Sequence, residues 1–402
     1  MSIIIALCAA CSLWFCTGMR IAVTSELPQN YTAYLHHFGL VGRRMRESPG
    51  MRLLREQAFW QRRAPNILSF YHVPLDRHAS ARKQNTRADA RWTAAANHLF
   101  DATDDELKRM MGYKPLARKT HKAFSFVNLH SQNESIPAGI VLQEAVDWRK
   151  HVRASNKVRY QGSCGSCWAI AAGSALEMHA ELAGYSVPGL QVNQLVGCVP
   201  NTRHCGGGGG CDGATAELAF QYAAEHGVAF EDDLKWDTKG GLCQKAPKRI
   251  ISQGFERLTP NLALPLQYAL AMKGPVVVSA DASDWELYGG GVFDDCPKNA
   301  AVNHAVLAVG YGVSTSGKYW LIRNSWGKEW GEAGHIRILR FEDGSDGYCG
   351  TDYHPQEGVA CDGETSPVPV CGMCGILMDS SYPIGVKVSD GVSQLRGANT
   401  LH

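Results

Sequence analysis

The stretch Gln161-Gly162-Ser163-Cys164-Gly165-Ser166-Cys167-Trp168-Ala169 decides the reading of this chain. Two cysteines three residues apart sit in a small-residue turn. An apolar run follows, Trp168-Ala169-Ile170-Ala171-Ala172 and then Ser174-Ala175-Leu176-Glu177-Met178, built from helix-favouring residues. That order puts Cys167 near a helix N-terminus, where the macrodipole favours a thiolate. A free thiol of pKa ~8.5 is mostly protonated at neutral pH, so a nucleophilic cysteine needs such help.

The stretch resembles the active-site segment of the papain/cathepsin L-like cysteine proteases, in which a histidine and an asparagine follow far downstream. Val302-Asn303-His304-Ala305-Val306 and Asn324-Ser325-Trp326-Gly327 supply both, in the same order. The resemblance implies a thioester mechanism for peptide-bond hydrolysis. Cys167 attacks, His304 protonates the leaving amine, and Asn324 orients the imidazole. The Gln161 amide and the Cys167 backbone N–H form the oxyanion hole, an element contributing about 3 kcal/mol. Trp326 and Trp330 are expected to shield the Asn324–His304 hydrogen bond from water. Each of these residues alone is more often structural than catalytic; the ordered set points to chemistry.

Further expectations come from the same resemblance. Gly213 and Ala214 stand where the family has two glycines whose backbone binds the extended substrate, so here a methyl group enters that wall. Asp379 falls at the floor of the pocket for the side chain two residues before the scissile bond. Val302 and Ala305 line one side, Asn303 and Trp326 border the site, and Ser279 lies where a small apolar residue is common. An ionised Asp379 would accept arginine beside leucine. The implied disulfides are Cys164–Cys211, Cys198–Cys243 and Cys296–Cys374.

Fourteen cysteines occur in all, none of them between Cys16 and Cys164. Cys167 set aside, ten of those from Cys164 onward remain, an even number that suits a disulfide framework in an oxidising compartment. Cys205, Cys349, Cys361 and Cys371 would form two bridges of open pairing. Cys371-Gly-Met-Cys374 has zinc-like spacing but no second matching pair, so neither metal nor cofactor is implied.

The first residues form a short apolar run, from Ile3 to Cys16, of signal-peptide length and too short to span a bilayer. Residues 1–24 are read as a signal peptide, 25–140 as an inhibitory propeptide and 141–402 as the mature domain, opening near Ala145-Val146-Asp147-Trp148-Arg149. The segment Asn97-His98-Leu99-Phe100-Asp101 resembles the Asn-x-Phe-x-Asp stretch of family propeptides, with Leu99 in place of Phe; Arg55 and Phe59 match the spacing of the longer helical propeptide motif. The competing reading is an unrelated basic helical domain. Sequons at Asn30 and Asn133 and a processing region at Ile136-Pro137-Ala138-Gly139 complete this part.

A net charge of +2 gives no reason to expect nucleic acid. It conceals a split: residues 25–140 carry 18 Lys and Arg against 10 Asp and Glu, residues 141–402 carry 21 against 28. Opposite charge on consecutive segments predicts that one docks on the other. Helical patterns from Ser166 to Gly184 and Ala214 to His226, followed by strand patterns after Pro275, predict an α+β fold. The resemblance makes it the papain-like two-subdomain fold: a helical half, an antiparallel barrel-like half, and the active site in the cleft between. About 25 extra residues between Arg340 and Cys371 read as a disulfide-held surface loop near the rim.

The leading reading is a monomeric endopeptidase made as a zymogen, entering the secretory pathway for the lysosome, vacuole or exterior. Its partners are protein or peptide substrates and its own propeptide, with no membrane beyond the signal. A transpeptidase or exopeptidase would use the same thioester. A non-catalytic scaffold is the reading from another class, and the intact Gln161, Cys167, His304, Asn324 set argues against it.

Overall fold

The computed structural model describes residues 31–63, 84–113, 136, 139–235, 243–341 and 347–389; the signal peptide, the sequon asparagines Asn30 and Asn133, and Pro137-Ala138 of the processing region lie outside them. The decisive stretch does become a helix, Cys167–Leu182. It is apolar on nearly every face, the pattern of a helix sunk in a core rather than lying on one. Leu195 of helix Val192–Cys198 packs with it on one side, and Ala219, Phe220 and Ala223 of helix Ala216–His226 pack there as well. A buried ion pair lies within this half: Glu177 accepts from Arg159 at 2.6 and 2.9 Å and from the Leu190 N–H at 2.6 Å.

The other half is a nine-stranded sheet. Its order runs Trp92–Ala94, Tyr288–Phe293, His335–Leu339, Gly317–Arg323, His304–Ser314, Val276–Ala280, Ser380–Ile384 and Gly254–Arg257, with Val146–Asp147 paired onto His304–Ser314. The strand His304–Ser314 joins the halves. Ala305, Leu307 and Val309 point into the helical cluster, while Val306 and Ala308 point into the sheet cluster, the period-two alternation of a strand buried on both faces. A register shift between Ala308 and Gly310 then returns Tyr311 to the sheet side. The pairing is antiparallel, as expected, except in one place: Tyr288–Phe293 and His335–Leu339 pair in parallel. They are separated by the hairpin 304–323, and such a distant return allows either direction where a tight turn would force antiparallel pairing.

The first strand of the sheet comes from the N-terminal segment. Trp92 and Thr93 pair with Gly291 and Gly290 at the sheet edge. The glycines are required there: a Cβ at Gly289 would come 2.5 Å from Ala95 Cβ, and one at Gly291 would overlap the Arg91 carbonyl. The rest of this segment is helical, Tyr31–His37, Val41–Arg44, Pro49–Arg63 and Asp104–Met110. It has its own small core of Tyr31, Tyr34, Leu40, Phe59 and Phe100, closed by Leu287 of the sheet half.

All ten expected cysteines are bridged. The pairs are Cys164–Cys211, Cys198–Cys243, Cys296–Cys374, Cys205–Cys361 and Cys349–Cys371, and Cys167 stays free. The inserted segment carries a short hairpin, Cys349–Asp352 against Val368–Cys371.

At the centre of the N-terminal unit Asp101 is wholly buried. It accepts from Arg44 Nε at 2.9 Å and Nη2 at 2.7 Å, and from the Tyr31 and Tyr34 hydroxyls at 3.0 and 3.2 Å. The residue after Ala102 starts a helix with a capping box, Thr103 and Glu106, and Glu106 also pairs with Arg55. Asp101→Ala strips the buried Arg44 of its main counter-charge. The expected cost is about 3–5 kcal/mol, read as a lower urea midpoint for the N-terminal unit. An unchanged midpoint would show that this network adds nothing net.

Candidate active site

Two chain reversals bring the sequence-distant residues together. Cys167 is the first residue of its helix, and the turn before it is tied to the Cys211 loop by the Cys164–Cys211 bridge and by a Gly165 N–H to Cys211 O hydrogen bond of 3.0 Å. His304 opens the joining strand, and its neighbour Ala305 directs its N–H at Cys167 Sγ, 3.4 Å away. Asn324 follows the next strand and holds His304 Nε2 at 2.8 Å through Oδ1. Nδ1 of His304 is buried with no hydrogen-bond partner among the described residues. Trp326 lies 5.2 Å from the imidazole, ring to ring, with Trp285 at 6.2 Å and Trp330 packed on Trp326. All three indoles are fully buried, so the His304–Asn324 bond sits in a dry pocket.

Gln161 is fixed from behind by Ser325. The Ser325 hydroxyl donates to Gln161 Oε1 at 2.5 Å, and the Gln161 N–H donates to Ser325 O at 2.9 Å. This turns the amide Nε2 toward the reaction centre, where it donates to Cys164 O and to Met110 O, both at 2.8 Å. Ser325 went unremarked as a functional residue in the sequence, although it lies inside the Asn324-Ser325-Trp326 run.

Met110, Gly112 and Tyr113 of the N-terminal segment fill the cleft. Gly112 lies so close that a Cβ there would overlap Cys167 Sγ, and a Cβ at Gly213 would overlap Gly112 O. Gly213 has φ +92°, so two glycines face one another across the cleft for separate steric reasons. The Tyr113 N–H donates to Asn303 O at 3.3 Å, while the Asn303 side chain turns away to Asp281 and Ser283. Tyr113 reaches into the side pocket, its hydroxyl 2.9 Å from Ser279 Oγ. Ser279 donates on to Asp379 at 2.8 Å, and Arg257 holds the other Asp379 oxygen at 3.1 Å. Ser279 is therefore a polar link between Tyr113 and Asp379, at a position where a small apolar residue was expected to be common. Ala214 is fully buried in the cluster that also contains Tyr113. Val302 packs with Ala300 and with Val370 of the inserted segment.

Burial controls the electrostatics. Taking Cys167 out of water pushes its thiol up to about 11, against the smaller opposing pull of the Ala305 and Gly112 N–H groups. Burial likewise takes His304 down to about 4, with Asn324 acting the other way. The helix N-terminus does pull the thiol down, through the Trp168 and Cys167 N–H groups, but in this covered arrangement lost hydration outweighs that pull. Both groups are neutral here across the physiological range. Glu217, beside the pocket, is also held protonated more readily than usual, by burial first and then by the Asp379 charge.

Comparison with known proteins agrees with this geometry. The family described as papain family cysteine protease matches residues 142–358. A cysteine endopeptidase named RepA from Oryza sativa is 31% identical over 317 residues, covering 75% of this chain and 73% of the relative. Cathepsin S of Rattus norvegicus is 34% identical over 254 residues, covering 62% and 74%. Among solved structures, a digestive procathepsin L 3 of Tenebrio molitor superimposes with a TM-score of 0.62 at 24% identity, covering 88% of this chain and 98% of that one, a likeness of fold. A recombinant stem bromelain precursor gives 0.62 at 25%, covering 88% and 97%. With the ordered cysteine, histidine, asparagine and glutamine converging on one cleft between a helical and a strand half, the chain belongs to the papain family of cysteine proteases.

Proposed function

We propose that this cysteine endopeptidase is made as a latent precursor in which residues 25–140, after a signal peptide of residues 1–24, inhibit a mature domain of residues 141–402. The observation that carries this reading is a peptide lying across the reaction centre, with Gly112 against Cys167 and the Met110 carbonyl on the Gln161 amide. Once that peptide leaves, water re-enters, the cost of charging both groups falls, and a proton can pass from Cys167 to His304. The thiolate adds to the substrate carbonyl, and Gln161 with the Cys167 N–H stabilises the oxyanion. His304 then protonates the departing amine, leaving a thioester at Cys167 that water hydrolyses. Five disulfides and kinship with cathepsins support passage through the secretory pathway, to a lysosome, a vacuole or the exterior, and action as a monomer on proteins and peptides.

The pocket holding Tyr113 takes the side chain two residues before the scissile bond. Asp379 and Ser279 at its floor favour a long side chain with a polar tip, so arginine and tyrosine are accepted beside leucine. Arg257 shares the Asp379 carboxylate, and that competition lessens the gain for a substrate guanidinium.

Two substitutions test these assignments. Cys167→Ala is expected to give a folded full-length precursor with no peptidase activity and no self-processing; wild-type turnover would refute the nucleophile. Asp379→Ala is expected to lower kcat/KM for arginine about tenfold, some 1.4 kcal/mol, while leucine turnover survives. Equal losses for both substrates would make Asp379 a structural residue.

A further inference from the structure

Two disulfides lie outside the three that the resemblance implied, and one of them crosses the cleft. Cys205 belongs to the loop on the helical half that leads to Cys211 and Gly213; Cys361 belongs to the segment inserted after strand His335–Leu339 of the sheet half. The inserted segment touches both walls of the pocket that holds Tyr113. On the sheet side Gly358 packs so tightly on Val302 that a Cβ would overlap the Val302 carbonyl, and Val302 precedes Asn303, whose own carbonyl holds the Tyr113 backbone. On the helical side Ala360 O accepts from the Gly206 N–H at 3.0 Å. A Cβ at Gly206 would stand 2.7 Å from the Tyr113 ring and 3.1 Å from Ala214 O. Between these two anchors lie only the steps from Gly358 to Ala360, a span of at most about 7 Å. Val359, between them, packs against both the cluster containing Tyr113 and the cluster containing Val302.

The bridge is reinforced on its far side. Asp362 N–H donates to Arg203 O at 3.0 Å, the Arg203 guanidinium pairs with Glu364 at 3.2 Å, and Glu364 also accepts from the Cys361 N–H at 3.0 Å. The first two contacts tie the insertion to the loop around Cys205, and the third braces the insertion itself. Tyr113, beneath the bridge, is only 3% exposed.

We propose that residues Gly358–Cys361, locked to Cys205, form a wall that ends the substrate cleft on the N-terminal side of the scissile bond, just beyond the pocket filled by Tyr113. The side named rests on the reading that this pocket takes the residue two before the scissile bond. A substrate that runs on past the pocket has to turn out of the cleft over this wall and forgo backbone contacts beyond it. The cleft therefore accommodates two or three residues before the bond to be cut. Peptide bonds near a free N-terminus, or in short peptides, are favoured over bonds deep within a chain.

The test is a series of quenched-fluorescence peptides cut by the full chain after it has processed itself. All share the same residues around the scissile bond and carry one to six residues on its N-terminal side; a second series is lengthened only on the C-terminal side. The wall predicts that kcat/KM peaks at two or three N-terminal residues and falls at least tenfold by five, with no such fall in the second series. The double variant Cys205→Ser, Cys361→Ser should restore the longer peptides to within about threefold of the short ones. Should that variant not fold, the wild-type series alone carries the test. Rates that rise or stay level with length in both series would overturn the wall. A fall confined to the C-terminal series would instead overturn the pocket reading, and with it the side to which the wall is assigned.

Discussion

The rest of the structure depends on the removal of water from Cys167 and His304. Covered by Met110, Gly112 and Tyr113, the thiol rises to about 11 and the imidazole falls to about 4, so the reactive pair is stored as two neutral groups. The residues that would later act are already in place: Asn324 on His304, Ser325 on Gln161, three indoles around the imidazole. Latency in this arrangement requires no rebuilding of the site. It requires only that a peptide lie where substrate would, and that it keep the dielectric low.

Holding that peptide is the task of the N-terminal unit. Its docking combines a strand added to the sheet edge at Trp92–Ala94, the shared core at Leu287, and the Asn97 amide donating to Glu286 O at 2.7 Å. The opposite net charges of the two segments favour approach at long range. Short-range fit is set by glycines: Gly289 and Gly291 at the edge, Gly213 and Gly112 in the cleft. Strand addition fixes register through backbone bonds, so a one-residue slip would carry Gly112 away from Cys167.

The sequence made the proposed reaction centre legible because amide hydrolysis by a thiol demands a small set of residue types in a fixed order; Gln161, Cys167, His304 and Asn324 match that set and lie together in the fold. The helix after Cys167 and the strands after Pro275 were equally readable from their apolar runs. What escaped was whatever depends on three-dimensional neighbours. The strand Trp92–Ala94 is only three residues long and has no meaning apart from the glycine edge it joins. The partners of Cys205 and Cys349 could not be chosen, since the four cysteines left open allow about three pairings. The thiol moved opposite to the expectation from its helix because burial is a property of the covering peptide. Arg257 on Asp379, separated by 122 residues, left no local trace either.

The central claim, that covering alone keeps the pair neutral, is tested most directly by the pH dependence of Cys167 alkylation. A small haloacetamide should be offered to the intact precursor and to the processed enzyme over a pH range from 4 to 11. The precursor should react slowly throughout, gaining speed only as pH approaches the raised thiol value of about 11. The processed enzyme should react rapidly from weakly acidic pH upward, because there the thiolate–imidazolium pair is hydrated. Fast alkylation of the intact precursor at pH 6, with the N-terminal unit still docked, would contradict the account.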